Sequence, residues 1–153
     1  MEPRSTPTSK VSLAEKAAGT VRFTMIRNGL YALIVNLQDG IEGGDNGVVV
    51  LRDGIIRGGD SFFYFVGSYS CSGSKWKGEV TSQEHTPALA NRPFARRVAT
   101  IGFTGTYSNT GAESDNTALL GKQSVSFKTS LRLLIADDIE PPTTTNKASA
   151  LQL

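Results

Sequence analysis

Cysteine, histidine and charge of one sign are scarce in this chain, and each scarcity removes a class of function. With a single cysteine, Cys71, among 153 residues, no intrachain disulfide can form and no cysteine-rich metal site can be built. With a single histidine, His85, a metal centre would have to draw its other ligands from elsewhere, and the sequence offers no second histidine or usable cysteine. A formal net charge of +2 is too small to point to nucleic acid or to an anionic membrane surface. The longest apolar run, residues 30–35, is far short of a membrane span. The first twenty residues hold no apolar stretch of the kind a secretory signal needs. A reducing cytoplasm is the expected compartment.

What the chain has in quantity is glycine, sixteen against six prolines, which suits a single all-β domain with many turns. Its centre is residues 48–69. A β-branched run, Val48-Val49-Val50-Leu51, ends at Asp53-Gly54, the dipeptide that supplies positive φ at both central positions of a two-residue hairpin turn. The next run ends at Gly58-Gly59-Asp60, where a Cβ would crowd the backbone and the Asp side chain can accept from the following amides. An aromatic strand over residues 62–69 follows. The connections are too short for crossover helices, so these strands pair antiparallel.

Around this meander the other elements fall into place. Residues 1–24 read as a flexible leader, in which Ser12-Leu13-Ala14-Glu15 fits a capping box and Gly19 would close a helix of barely two turns. Residues 29–37 form a strand apolar on both faces, followed by a loop rich in glycine and acid. Residues 76–82 and 99–107 alternate, a polar turn covers 109–116, and short strands at 117–120 and 125–133 complete the set, with a helical turn near 88–91. Residues 137–153, with Pro141-Pro142 and three threonines, read as a disordered tail. About eight short strands with short turns predict an up-and-down antiparallel β-barrel over residues 25–136, with a two-sheet sandwich as the alternative. Trp76, Phe103, Tyr107 and Phe127 fall on inward positions and are expected to fill the interior. On residues 62–69 both faces are apolar, and a strand wetted on one side should alternate. Phe63, Phe65 and Tyr69, with Ser72, Ser74 and Lys75 in the turn beside them, are the expected protein-interaction surface.

Candidate chemistry is thin. Ser72 with Lys75 and Ser74 with Lys77 match Ser-x-x-Lys, but such a nucleophile needs its lysine one helical turn on, and here each pair spans a hairpin turn. Asp39, Glu42 and Asp45 lie three apart, the wrong spacing for a Ca²⁺ loop. Asp60 is the most tempting acid, yet a turn in which it bonds local amides needs nothing else. Arg92, Arg96 and Arg97 around Phe94 are too small a basic cluster for nucleic acid. No catalytic residue, cofactor or metal is expected, and the chain is not expected to be an enzyme.

Four motifs in order and spacing carry a resemblance. Asn28-Gly29-Leu30-Tyr31, Gly47-Val48-Val49-Val50-Leu51 with Asp53-Gly54, Gly58-Gly59-Asp60, and residues 64–69 with Gly67 together resemble the GrlR family, bacterial negative regulators of type III secretion gene expression. The resemblance spans roughly residues 25–136. It implies a lipocalin-like barrel that forms homodimers and represses by binding a transcriptional activator protein, without contact to DNA. In that regulator an acidic turn is tied to activator binding. The matching turn here, Cys71-Ser72-Gly73-Ser74, has no carboxylate, so the fold carries over and the specific partner does not. The expected function is therefore regulation by protein contact; the alternative is a barrel that binds a small apolar ligand in its interior.

Overall fold

The computed structural model describes residues 14–17, 20–37, 46–89, 94–95 and 97–138. It is all-β, and its main body is an up-and-down antiparallel barrel of eight strands: β3 (Gly29–Leu37), β4 (Asn46–Arg52), β5 (Ile55–Gly59), β6 (Phe63–Ser72), β7 (Lys75–Glu84), β8 (Ala99–Tyr107), β9 (Gly111–Leu120) and β10 (Gln123–Ala136). Each strand pairs with its neighbour in sequence, and β10 closes the ring against β3, with a bulge between Leu133 and Ile135. Closure leaves no sheet edge unpaired, which rules out the two-sheet sandwich. Among the described residues no helix is long and apolar enough to cross a membrane.

The turns follow from their sequences. Asp53 and Gly54 have φ of 51° and 87°, as a two-residue turn of mirror-image type I requires. At Gly73-Ser74 and Gly121-Lys122 only the glycine is left-handed, with φ of 65° and 66°, the pattern of a mirror-image type II turn. Gly67 answers a different demand: a Cβ there would run into the Glu79 carbonyl oxygen on β7. The corner after β5 is held by Asp60, whose Oδ1 accepts from the Phe62 and Phe63 amides at 2.9 and 2.8 Å.

Two sequence expectations are overturned here. The capping-box helix does not form: β1 (Ala14–Ala17) pairs antiparallel with β2 (Thr20–Phe23). A helix of two turns is marginal alone, and Gly19 suits a hairpin connection as well as a helix stop. The polar turn over 109–116 is also mostly strand, since β9 begins at Gly111 and runs ten residues. Glu113, Asp115 and Thr117 face solvent, while Ala112, Ser114, Asn116 and Ala118 are buried. The Asp and Asn content suggested a turn, but small inward side chains are what a narrow barrel can accept. β7 and β10 also extend beyond residues 76–82 and 125–133. Leu89 lies outside regular structure. Residues 1–13 of the leader, the acidic loop of Asp39, Glu42 and Asp45, Arg92 and Arg96, and the tail from 139 on lie outside the described residues.

One end of the barrel is plugged by its own flanks. Ile26 and Tyr31 are fully buried there, and the Tyr31 hydroxyl donates to the Arg27 carbonyl at 2.6 Å. Beyond the end of β10, Asp137 takes Arg52 at 2.8 Å and Asp138 takes Arg27 at 2.9 Å. Above this plug Trp76 packs between Tyr69, edge-on, and Phe103, tilted, at 5.9 and 4.6 Å between ring centroids. Trp76, Phe103 and Phe127 thus occupy the interior, and Tyr107 packs at its margin.

Candidate functional site

Two parts of the barrel offer something other than structure: the inside, and the outer face of β3 to β6. The expected interaction surface does not survive as drawn. Phe63 and Tyr69 are 2% and 7% exposed, and with Phe65 they point into the barrel. Ser72, Ser74 and Lys75 are exposed in the β6–β7 turn, so the two halves of that surface lie on different sides of the sheet. Both faces of β6 carry bulk, and its own sequence does not say which is inner. Its neighbours decide it: Gly67 sits opposite Ile56 on β5 and Val80 on β7, both of them inward residues.

The apolar outer face is real and lies one residue along. Tyr64 and Val66 of β6, Val48 of β4 and Ile34 of β3 are each 41–47% exposed. The register spreads them over three successive rows, with Ile34 opposite Asn46 in the first. Ala32, Val48, Gly59 and Tyr64 form one row across the four strands, and Leu30, Val50, Arg57 and Val66 form the next. Because Gly59 has no side chain, Val48 and Tyr64 flank a shallow floor. The Tyr64 hydroxyl donates to Gln83 Oε1 at 2.9 Å on the rim. The signal was legible in Val48-Val49-Val50 and in residues 30–35, where apolar residues occupy both faces of a strand that closure leaves wet on one side.

The groups considered for catalysis are engaged elsewhere. Asp60 holds its corner through two backbone amides. The His85 ring lies beside that corner, with Nε2 3.0 Å from the Asp60 carbonyl oxygen and Nδ1 2.8 Å from Thr86 Oγ1. It therefore meets the backbone of Asp60 rather than its carboxylate. Ser72 and Lys75 are cross-strand partners at the β6–β7 turn, with no helix to present a nucleophile. Among the described residues no group of three or more His, Cys, Asp or Glu side chains could hold a metal ion. Burial raises the Cys71 thiol above its ordinary value, with the Ile26 backbone lowering it in part, which makes the thiolate scarcer.

Inside the barrel lies a cavity of about 100 Å³. Its walls are aromatic and aliphatic, including Phe63, Phe65, Trp76, Phe103 and Phe127. Phe94, from the long β7–β8 connection, stands at the end away from the plug with its ring 5.8 Å from that of Phe127. The wall also carries polar groups, Asp60 and Ser82 among them, and one polar stretch is hydrogen-bonded within itself. Ser114 Oγ donates to Asn116 Oδ1 at 3.0 Å and bonds Thr129 Oγ1, and Asn116 Nδ2 donates to the Phe127 carbonyl at 3.1 Å. The sequence reading of 109–116 as a turn hides Ser114 and Asn116, while Thr129 lies on the strand expected over 125–133; the period-two sequence Ala112, Ser114, Asn116, Ala118 is the signal that finds the first two.

A scan against protein-family models finds no match to this chain, and a search of curated proteins finds none.

Proposed function

We propose that the protein is a non-enzymatic regulatory barrel of the bacterial cytoplasm that acts by protein contact. Its working surface is the outer face of β3 to β6. The observation that carries this reading is the set of half-exposed apolar side chains at Ile34, Val48, Tyr64 and Val66, spread over three successive rows of one outer face. Burying these side chains yields roughly 25 cal/mol per Å² before the costs of association. A second copy of the chain is the first occupant, giving a homodimer; a transcriptional activator is the regulated partner, held out of its working complex. The GrlR resemblance supports this assignment, including a role in type III secretion or a related programme of gene expression. The engagement of Asp60 and His85 in holding one corner supports a role without turnover.

The test is to place charge on that face. Val48→Glu with Val66→Glu leaves the interior untouched, so the barrel should keep its circular dichroism and melting behaviour. Wild-type protein should sediment as a dimer or as a complex with a second protein, and the variant as a free monomer. A wild-type protein that is monomeric and brings no other protein with it from its native cell would sink the reading.

The second reading, a barrel that carries a small apolar molecule, is favoured by the interior cavity. The two readings use opposite sides of the same sheet and do not compete.

A further inference from the structure

The polar wall of the cavity narrows the second reading to a chemical class. We propose that the interior takes a single-ring, uncharged aromatic molecule that donates one hydrogen bond, a phenol-type ligand, with its O–H directed at Asn116 and Thr129. This rests on the reading of the barrel as a carrier and adds to it what is carried.

Size comes first. An apolar cavity of roughly 150 Å³ takes up benzene, and pockets for drug-sized ligands start at about 300 Å³. A cavity of about 100 Å³ is smaller than that benzene cavity, so one ring is the upper limit and enters only as a lining side chain such as Phe94 gives way; an acyl chain exceeds it. Charge comes second. Among the described residues that line the cavity, Asp60 is the only ionisable one, and its Oδ1 already serves two amides. A carboxylate or phosphate would lose its water and meet no cation, which is prohibitive.

The direction of the hydrogen bonds comes third. The single proton of Ser114 Oγ goes to Asn116 Oδ1, so in the Ser114–Thr129 pair it is Thr129 that donates. Asn116 Nδ2 spends its two protons on the Phe127 carbonyl at 3.1 Å and on the Ser114 carbonyl and Thr129 Oγ1 at 3.3 and 3.4 Å. Every proton of the cluster is committed within it. What remains is a second lone pair on Asn116 Oδ1 and one each on Thr129 Oγ1 and Ser114 Oγ, all of them acceptors. At this stretch of wall a guest with an O–H or N–H completes the network and one with only an acceptor faces lone pairs; the Ser82 hydroxyl, outside the cluster, is the other neutral polar side chain of the lining.

Trp76 lines the cavity and is the only tryptophan of the chain, so its fluorescence reports occupancy. The full chain is titrated with phenol, anisole, benzene and decanoate, following Trp76 emission and the melting temperature. Phenol should quench saturably and raise the melting temperature. Anisole, which has the ring without the proton, should bind about tenfold more weakly, the scale of one hydrogen bond, and decanoate should not compete. Thr129→Val, which keeps shape, should narrow the gap between phenol and anisole, with Asn116 Oδ1 still able to accept, while benzene still enters. Asn116→Leu should do the same, and Thr129→Val decides if that variant does not fold. The double variant of the outer face, Val48→Glu with Val66→Glu, should bind phenol as wild type does. Equal binding of phenol and anisole by wild type overturns the donor class and leaves the carrier reading standing. Preferred binding of decanoate overturns both size and charge arguments, and no saturable response to any probe overturns the site and the carrier reading together.

Discussion

Asn28 and Asp53, twenty-five residues apart, hold each other by two reciprocal hydrogen bonds. Asn28 Nδ2 donates to Asp53 Oδ1 at 2.9 Å, and the Asp53 backbone amide donates to Asn28 Oδ1 at 2.9 Å. The pair ties the approach to β3 to the β4–β5 turn, at the end where Ile26 plugs the barrel. It also steadies Asp53 at φ 51°, which costs a non-glycine residue roughly 1 kcal/mol. Asn28→Ala should lower stability by about 1 kcal/mol. Asp53→Gly relieves the left-handed backbone and keeps one of the two bonds, so its loss should be smaller. Urea denaturation of the two variants, with unchanged slopes, checks the order.

Glycines two strands apart, on β6 and β8, should respond oppositely to the same change. At Gly67 a Cβ would collide with the Glu79 carbonyl oxygen and lie 2.8 Å from Val80 Cα, whereas at Gly102 nothing stands within 4 Å. Gly67→Ala forces β6 and β7 apart and should cost about 2 kcal/mol. Gly102→Ala, on an exposed position of β8, should be neutral or stabilising by about 0.5 kcal/mol through the unfolded chain. Midpoints of chemical denaturation separate the two; equal losses would mean that the close approach at Gly67 does not set the strand spacing.

The barrel was legible because its turns are written in short local code. Asp53-Gly54, Asp60 and Gly73 each fix a corner through one or two residues, and the corners leave too little chain for anything but adjacent antiparallel strands. The sidedness of β6 was not legible. Phe63, Phe65 and Tyr69 compete with Tyr64 and Val66 on nearly equal terms, and the choice is made by Ile56 and Val80 on strands paired to it. β9 was hidden for the opposite reason: Glu113, Ser114, Asp115 and Asn116 carry no apolar alternation at all. Their order follows polarity and size, with charged residues out and short neutral ones in. That pattern has meaning only once a narrow interior is known to be there. The N-terminal hairpin was hidden by ambiguity, since Gly19 ends a helix as readily as it turns a chain.

The buried tyrosines set the alkaline limit of the fold. Burial, the larger cause, pushes Tyr69 up to about 12, with the Gly54 backbone pulling the other way; burial likewise raises Tyr31, helped by the nearby Tyr69 and opposed by Arg27. Both groups hold their protons in the folded state above the pH at which they release them unfolded, near 10. Between those values the unfolded chain binds fewer protons, so stability is complete below about pH 10 and falls as pH rises, by up to about 1.4 kcal/mol per pH unit for each group. The two should differ when truncated. The Tyr69 hydroxyl makes no hydrogen bond of normal geometry, so Tyr69→Phe should leave neutral stability nearly unchanged and flatten the alkaline fall. The Tyr31 hydroxyl holds the Arg27 carbonyl, so Tyr31→Phe should flatten the fall as well but cost about 1 kcal/mol at pH 7. Urea midpoints from pH 8 to pH 11.5 test both slopes. A wild-type curve that stays level across that range would show that these two rings are not buried as a plugged barrel requires.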